Sequence, residues 1–160
     1  AGTDCNDANS TLNPGEDDVP FDGNDTNCDG EDGSIVTANG EGNLTVADYA
    51  TVNSNATVSG CAQVYNATIS VNISHTYQGD LTVSLTPPSG QSFLLHNRTG
   101  GTTDNIVGSY ATSGGTIVPA QSLLPLVGSN GNGNWRLTVS DAASGDSGRL
   151  NSWSVELECP

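Results

Sequence analysis

The chain contains no lysine and no methionine, and its strong bases are limited to Arg98, Arg136 and Arg149 among 160 residues. Eighteen acidic residues set the formal net charge at −15. Nucleic acids and anionic membranes bind proteins through basic surfaces, so this charge excludes both as partners. No apolar run reaches the roughly 18 residues of a membrane-spanning helix, so the sequence predicts no membrane segment.

Cysteine is sparse but even in number. Four Cys without a Cys-x-x-Cys pair argue against a zinc site and favour two disulfides. We predict that Cys5–Cys28 closes the N-terminal segment and that Cys61–Cys159 ties an early strand to the C-terminus. The second bond would close a loop of roughly a hundred residues and stabilise the fold by roughly 4–5 kcal/mol in the chain-entropy treatment. Disulfides and a Lys-free surface rich in Thr, Asn, Ser and Gly predict a secreted protein.

The acidic residues are concentrated at one end of the chain. Ten of the 18 lie in the first 34 residues, whereas the remaining sequence has a net charge of −5. Asp25-Thr26-Asn27-Cys28-Asp29-Gly30 places oxygen ligands at alternate positions and a Gly at the turn, as the first half of an EF-hand loop does. Position 12 of such a loop would be Val36 rather than Glu. The spacing therefore predicts a calcium loop of another kind, and a disordered acidic tail is the alternative.

We predict that residues 1–34 form a calcium-binding segment rich in Asp and Asn. The segment has few apolar residues and needs metal and disulfide to fold. Its candidate ligands are the oxygen-bearing side chains of Asp4, Asn6, Asp7, Asp22, Asp25, Asn27, Asp29 and Asp32.

Residues 35–160 have the period-2 alternation of half-buried strands, broken by Gly- and Pro-rich turns. About eight short strands without a helical period predict an all-β protein, an antiparallel jelly-roll sandwich. Residues 97–133 are predicted to form a long polar connection between the sheets. Trp135 and Trp153 fall on the apparent inward face of adjacent C-terminal strands.

Gly145-Asp146-Ser147-Gly148 matches the sequence of the nucleophile motif in chymotrypsin-like proteases. Here Arg149 follows instead of the Gly that helps to shape the oxyanion hole, and only 12 residues remain after Gly148. We interpret the motif as a turn between the last two strands. His75 and His96 are weak candidates for metal ligands because no third ligand has a useful spacing, and we expect His75 to hydrogen-bond within the sandwich. No nucleophile, base and orienting group form a set, so we predict that the chain alone is not an enzyme.

From residue 44 to about 158 the chain resembles the P domain of proprotein convertases and of many secreted bacterial proteases. The blocks that carry the resemblance are Ser74-His75-Thr76-Tyr77-Gln78-Gly79-Asp80-Leu81, Leu85-Thr86-Pro87-Pro88-Ser89-Gly90, Gly133-Asn134-Trp135-Arg136-Leu137-Thr138-Val139 and Gly145-Asp146-Ser147-Gly148-Arg149-Leu150-Asn151-Ser152-Trp153. The resemblance implies a jelly-roll module without its own catalytic activity, C-terminal to a subtilisin-like or metalloprotease domain. It also implies Asp80, Asp141 and Asp146 as further calcium ligands.

The N-terminal segment has a looser resemblance. Asp4-Cys5-Asn6-Asp7, Asn13-Pro14-Gly15 and Asn27-Cys28-Asp29-Gly30 are similar to a repeat of extracellular bacterial proteins that is described as metal-binding. Asn stands at positions 6, 9 and 27, where the repeat has Asp. Neutral amide oxygens still bind Ca²⁺, but the smaller charge should weaken the affinity.

Three functions are open from the sequence. The first is an accessory domain of a secreted protease, which supports the folding and stability of the catalytic domain in the same chain or holds an insoluble protein substrate. The second is a carbohydrate-binding module, which would need exposed aromatic side chains; Tyr49, Tyr65, Tyr77 and Tyr110 are the candidates. The third is a calcium-stiffened linker and cap.

Overall fold

The computed structural model describes residues 8–160. The predicted ligands Asp4, Asn6 and Asp7, and also Cys5, lie outside this range. The described chain forms nine strands and two short 3-10 turns, at Gln78–Asp80 and Leu124–Leu126. The strands are β1 (Ser34–Asn39), β2 (Leu44–Val46), β3 (Thr51–Val58), β4 (Asn66–Ser74), β5 (Leu81–Thr86), β6 (Phe93–Asn97), β7 (Ile106–Ala111), β8 (Gly133–Asp141) and β9 (Gly148–Cys159). Within residues 8–160, no helix has the length and apolarity to cross a membrane.

The strands form two antiparallel sheets. One sheet has the order β1-β9-β4-β7, with β2 also pairing β9, and the other has the order β3-β8-β5-β6. β9 is long enough to pair β2 through its first residues and β1 through its last ones. Apart from the β5–β6 hairpin, neighbouring strands within each sheet come from distant parts of the sequence, which is typical of a jelly roll. The structure confirms the predicted fold class, with nine strands instead of about eight.

The core lies between the two sheets because alternate side chains of each strand point inward. Along β5, Leu81, Val83 and Leu85 are fully buried, and the intervening Thr and Ser side chains are half-buried on the outer face. Trp135 and Trp153 are 0% and 3% exposed, so their predicted core positions are confirmed. They belong to strands that follow each other in sequence but lie in opposite sheets.

The predicted long connection over residues 97–133 is wrong in one respect, since it contains β7. This strand pairs antiparallel with β4, with Ile106 opposite Ile73 at one end and Ala111 opposite Thr68 at the other. Its alternation is hidden in the sequence because Gly108 occupies the inward position between Ile106 and Tyr110. A Cβ at Gly108 would lie 2.5 Å from Thr116 Oγ1, because the loop after β7 folds back over the strand.

The disulfide between Cys61 and Cys159 is present as predicted, with 5.5 Å between the Cα atoms. Both cysteines are buried. The backbone around Cys61 is fixed further, because its N–H donates to Asn132 Oδ1 at 2.8 Å and its carbonyl accepts from the Gly131 N–H at 3.0 Å. Cys28 is also disulfide-bonded, and its predicted partner, Cys5, is outside the described residues.

Tyr110 has a buried hydroxyl without a hydrogen-bond partner. Its side chain is 0% exposed on the inner face of β7, between the sheets. Burial raises the pKa of Tyr110 from 10.0 to about 12 because the phenolate would lose its hydration. The residue therefore supplies apolar area to the core and leaves one polar atom unsatisfied.

Replacing Tyr110 by Phe should raise the free energy of unfolding at neutral pH by about 1 kcal/mol, because an unsatisfied buried hydroxyl is removed. The wild type should also lose stability as the pH rises from 10 to about 12. In this window the unfolded state has released the Tyr110 proton and the native state still holds it, so the free energy of unfolding falls by up to about 2–3 kcal/mol.

Urea unfolding of wild type, Tyr110→Phe and the exposed control Tyr65→Phe at pH 8 and pH 11 measures both effects. The control should show the same alkaline loss as the wild type, and Tyr110→Phe should show a smaller one. Equal losses in all three proteins would contradict the buried, proton-retaining phenol.

Candidate functional site

The part of the acidic segment before β1 folds back on itself and lies at the end of the sandwich that holds the Cys61–Cys159 disulfide, here called the disulfide end. The Phe21 N–H donates to the Asp32 carbonyl at 3.0 Å and closes the loop between them. Gly33, with φ +77°, packs on Pro20 so closely that a Cβ would lie 2.6 Å from the Pro20 Cβ and 3.0 Å from the Cys159 carbonyl oxygen. This contact requires Gly at position 33.

The predicted ligands in the described residues each bind backbone N–H groups of the segment. Asp25 accepts from the N–H groups of Asp29 and Gly30 at 3.1 and 2.9 Å. Asp32 accepts from Gly23 at 2.7 Å and from Asp22 at 3.3 Å. The backbone N–H groups therefore orient these carboxylates. The remaining predicted ligands have similar short-range contacts: Asp22 Oδ1 accepts from Asn24, Asn27 Oδ1 from Asp29, and Asp29 Oδ1 from Glu31.

The described carboxylates of the acidic segment do not gather into a metal-binding cluster. Among residues 8–160, no three His, Cys, Asp or Glu side chains come together as a metal-binding group. A calcium site here would have to combine fewer carboxylates with amide and backbone carbonyl oxygens, which Ca²⁺ accepts as ligands. The ligands predicted at Asp4, Asn6 and Asp7 remain predictions.

One acidic residue of the segment was missed by the sequence reasoning. Asp18 is 3% exposed, and its Oδ1 accepts from the Thr26 N–H at 2.6 Å. Its Oδ2 is buried without a hydrogen-bond partner. Asp18 follows Glu16 and Asp17, which are both exposed, so no periodicity in the sequence marks it as the buried member of the run.

At the opposite end of the sandwich, His75 and Asp141 form a buried pair. His75 Nε2 lies 3.0 Å from Asp141 Oδ2, and His75 Nδ1 accepts from the Tyr77 N–H at 3.1 Å. Because Nδ1 is an acceptor, the ring proton is at Nε2 and is donated to Asp141. This end is called the histidine end below. The expectation that His75 hydrogen-bonds within the sandwich is confirmed.

The pairing of His75 leaves neither ring nitrogen available to take a proton from Ser147. That serine is exposed in the loop between β8 and β9, as the interpretation of its motif as a turn required. His96 is also buried, and its Nε2 lies 2.9 Å from the Gln78 carbonyl oxygen. The structure therefore gives Ser147 no base from either histidine.

The three acids that the family resemblance added as calcium ligands are at the histidine end but bind different groups. Asp141 accepts from His75 and from the Ala143 N–H. Asp146 accepts from the Thr76 hydroxyl. Asp80 ends a 3-10 turn and is 8% exposed. β9 has 12 residues and is thus about 40 Å long, so these acids and the acidic segment cannot share one site.

A patch of exposed apolar side chains lies near the disulfide end. Tyr65, Val118, Leu124 and Val127 are 43%, 88%, 63% and 45% exposed. They line two adjoining shallow grooves that share Leu124. These four residues are called the apolar surface below. Contiguous exposed apolar patches of this kind are typical of interaction sites.

The tyrosines predicted as sugar-stacking residues do not form a common platform. Tyr110 is buried, and Tyr77 is half-buried. Tyr49 is exposed and lies in the connection before β3, next to the histidine end. Tyr65 is exposed at the disulfide end, where its N–H donates to the Glu158 carbonyl at 2.8 Å.

Comparison with known proteins gives a consistent set of relatives. The family described as proprotein convertase P-domain matches residues 64–157. Leupeptin-inactivating enzyme 1 of Streptomyces exfoliatus is 40% identical over 115 residues, which are 71% of this chain and 24% of that protein. The calcium-dependent protease of Trichormus variabilis is 40% identical over 92 residues, 56% of this chain and 13% of the protease.

Two further matches agree with these. The transglutaminase-activating metalloprotease of Streptomyces mobaraensis is 37% identical over 87 residues, 54% of this chain and 10% of that protein. Among solved structures, the serine protease of Aeromonas sobria superposes with a TM-score of 0.56 and 18% identity, covering 79% of this chain and 27% of the protease. At this identity the similarity shows the fold alone. The chain spans about a quarter or less of each of these proteins.

Replacing Asp141 by Asn should destabilise the domain by about 1–3 kcal/mol. The carboxylate accepts from two donors, His75 Nε2–H and the Ala143 N–H, and an amide can accept only through one of its two ends, so one buried donor loses its partner. Thermal unfolding measures the change. Asp104→Asn removes the same charge from an exposed loop position and should leave the melting temperature almost unchanged; equal effects of the two substitutions would contradict a structural role for the pair.

Proposed function

Because the chain belongs to the proprotein convertase P-domain family, we propose that it is the accessory domain of a secreted bacterial protease and has no catalytic activity of its own. The observation that carries the proposal is the family match together with two relatives that are named as proteases, of which the matched segments cover 13% and 10%. The role of such a domain would be to support a larger catalytic unit in the same chain. Its two disulfide-bonded regions suit an oxidising, extracellular environment.

The absence of activity is supported by the arrangement of the histidines. Both nitrogens of His75 are engaged within the domain, and Ser147 is on an exposed loop. Hydrolysis by a serine needs a base within hydrogen-bond reach of its hydroxyl and a third group to orient that base. We therefore assign peptide-bond cleavage to the catalytic domain and not to this one.

We further propose that the apolar surface contacts the catalytic domain. Burying Leu124 and Val127, which are 63% and 45% exposed here, would remove apolar area from water and stabilise the joined domains. A covalent link gives the second domain a high effective concentration, so a modest interface is sufficient. In the same proposal, residues 35–160 form the P domain and residues 1–34 form a distinct calcium-binding segment.

Calcium binding by the acidic segment is supported by the name of one relative, a calcium-dependent protease, and by the buried, unpartnered oxygen of Asp18. The candidate ligands among the described residues are Asp22, Asp25, Asn27, Asp29 and Asp32, and one ion would use a subset of them together with backbone carbonyl oxygens. A bound Ca²⁺ would supply positive charge that neutralises their carboxylates. The histidine-end acids Asp80, Asp141 and Asp146 stay weaker candidates because Asp141 and Asp146 already bind protein donors.

Replacing Leu124 by Thr in the full-length protease should shorten the half-life of activity at elevated temperature. A lost interface contact of about 1–2 kcal/mol corresponds to roughly a 5–30-fold change in an equilibrium population. The matched control is Val107→Thr, since Val107 is 62% exposed on the outer face of β7, away from the apolar surface.

The control should behave like the wild type. Deletion of residues 35–160 should reduce the yield or lifetime of active protease more than Leu124→Thr does. The isolated domain should not hydrolyse peptide or ester substrates, and Ser147→Ala should not alter the protease. If the isolated domain cleaves a peptide and Ser147→Ala abolishes this cleavage, the proposed function is wrong.

Adding CaCl2 to chelator-treated protein should raise the melting temperature and release or absorb heat in a calorimetric titration. At a hundredfold excess over Kd, one site that is present in the folded state alone adds about 2.7 kcal/mol to the free energy of unfolding. Asp25→Asn should weaken the effect, and Glu16→Gln, an exposed position in the same segment, should not. An unchanged melting temperature together with no heat in the wild type would exclude calcium binding.

A further inference from the structure

We propose that Asp18 is a ligand of the calcium ion in the acidic segment, through its Oδ2 atom. The inference rests on the proposed calcium binding of that segment and names a ligand that the spacing of the sequence did not indicate. It also places the ion where the acidic segment contacts the sandwich.

The first observation is the burial of a half-satisfied carboxylate. Asp18 is 3% exposed; its Oδ1 accepts a short hydrogen bond from the Thr26 N–H, 2.6 Å long, and its Oδ2 has no partner. A buried carboxylate is strongly disfavoured unless its charge is paired or bound to a metal. The unpartnered oxygen therefore marks a position where a group from solution completes the structure.

The second observation is the lack of a protein cation that could supply this charge. The chain has three strong bases, and each donates elsewhere: Arg98 to the Gly79 carbonyl, Arg136 to Asn55 and Arg149 to the Asn43 carbonyl. The ion pair found in residues 8–160 is that of His75 with Asp141, at the other end of the sandwich. Asp18 has thus no counter-charge in the part of the chain that the structure describes.

The third observation is the direction of the side chain. The Thr26 N–H that Asp18 accepts belongs to the loop Asp25–Gly30, so the carboxylate faces that loop. Asp25 and Asn27 place further side-chain oxygens on the same turn, where they accept from Asp29 and Gly30. Carboxylate, amide and backbone carbonyl oxygens are the ligands of a hard divalent cation, and Ca²⁺ takes 6–8 of them.

The position of Asp18 gives the ion a second role. Asp18 and Pro20 are both buried, whereas Val19 between them is exposed. Pro20 packs on Gly33 next to the Cys159 carbonyl. A cation bound to Asp18 and to the loop would therefore hold the loop against the sandwich. Losing this ligand should weaken calcium affinity and also the stabilisation of the domain by calcium.

The test compares Asp18→Asn with Asp17→Asn in the complete chain. Both remove one negative charge from neighbouring positions, but Asp17 is exposed. The probe is CaCl2, titrated calorimetrically into EGTA-treated protein, with the melting temperature measured with and without CaCl2. Asp18→Asn should weaken Kd by about 10–100-fold, as is typical when a group that holds or supports a metal is removed, and most of the calcium-induced rise in melting temperature should disappear. Asp17→Asn should stay close to wild type.

Near-ultraviolet circular dichroism of Trp135 and Trp153 shows whether each variant retains the folded core. If Asp18→Asn does not fold, Asp18→Ser replaces it, since a hydroxyl can still accept from the Thr26 N–H. Wild-type affinity in a folded Asp18 variant would overturn the inference and leave calcium binding by the segment intact. Absence of calcium binding in the wild type would overturn both.

Discussion

The pairing of β9 with its neighbours is the interaction on which the rest of the structure depends. β9 pairs with three strands, β1, β2 and β4. Its inward side chains, Leu150, Trp153, Val155 and Leu157, are buried between the sheets. Its last residue, Cys159, is bonded to Cys61 and adjoins the Gly33–Pro20 contact. One strand therefore holds its own sheet together, packs against the other sheet, carries the disulfide and contacts the acidic segment.

The groups at the two ends of β9 differ in the functions that they could support. At the histidine end, the acids and the histidine form hydrogen bonds within the domain, and His75 and Asp141 are consistent with a structural pair. At the disulfide end lie the acidic segment, the unpartnered oxygen of Asp18 and the apolar surface, which are the groups of the proposed calcium site and of the proposed domain contact. A metal site and a protein contact at the same end would let one binding event stabilise the other.

The sequence predicted the sandwich well because most strands bury every second side chain. Leu81, Val83 and Leu85 show the alternation directly, and the blocks around Trp135 and Trp153 identify the family. β7 was missed because Gly108 removes the middle side chain of its inward face. Asp18 was missed for a different reason: whether one acid in a run of three is buried depends on a contact with Thr26 eight residues away. Ligand spacing does not encode such contacts, whereas it does encode the turn at Asp25–Gly30.

The position of β9 in the chain also determines when the domain can fold during synthesis. Ser34 pairs with Cys159, and β4 lies beside a strand that is made about eighty residues later. Until the ribosome has released β9, β1 and β2 have no neighbour in their sheet and Cys61 lacks its native partner, Cys159. Contacts this distant in sequence form slowly. A domain that lacks β9 would therefore leave β1 unpaired and one edge of β4 exposed, and such edges are prone to pair with other chains.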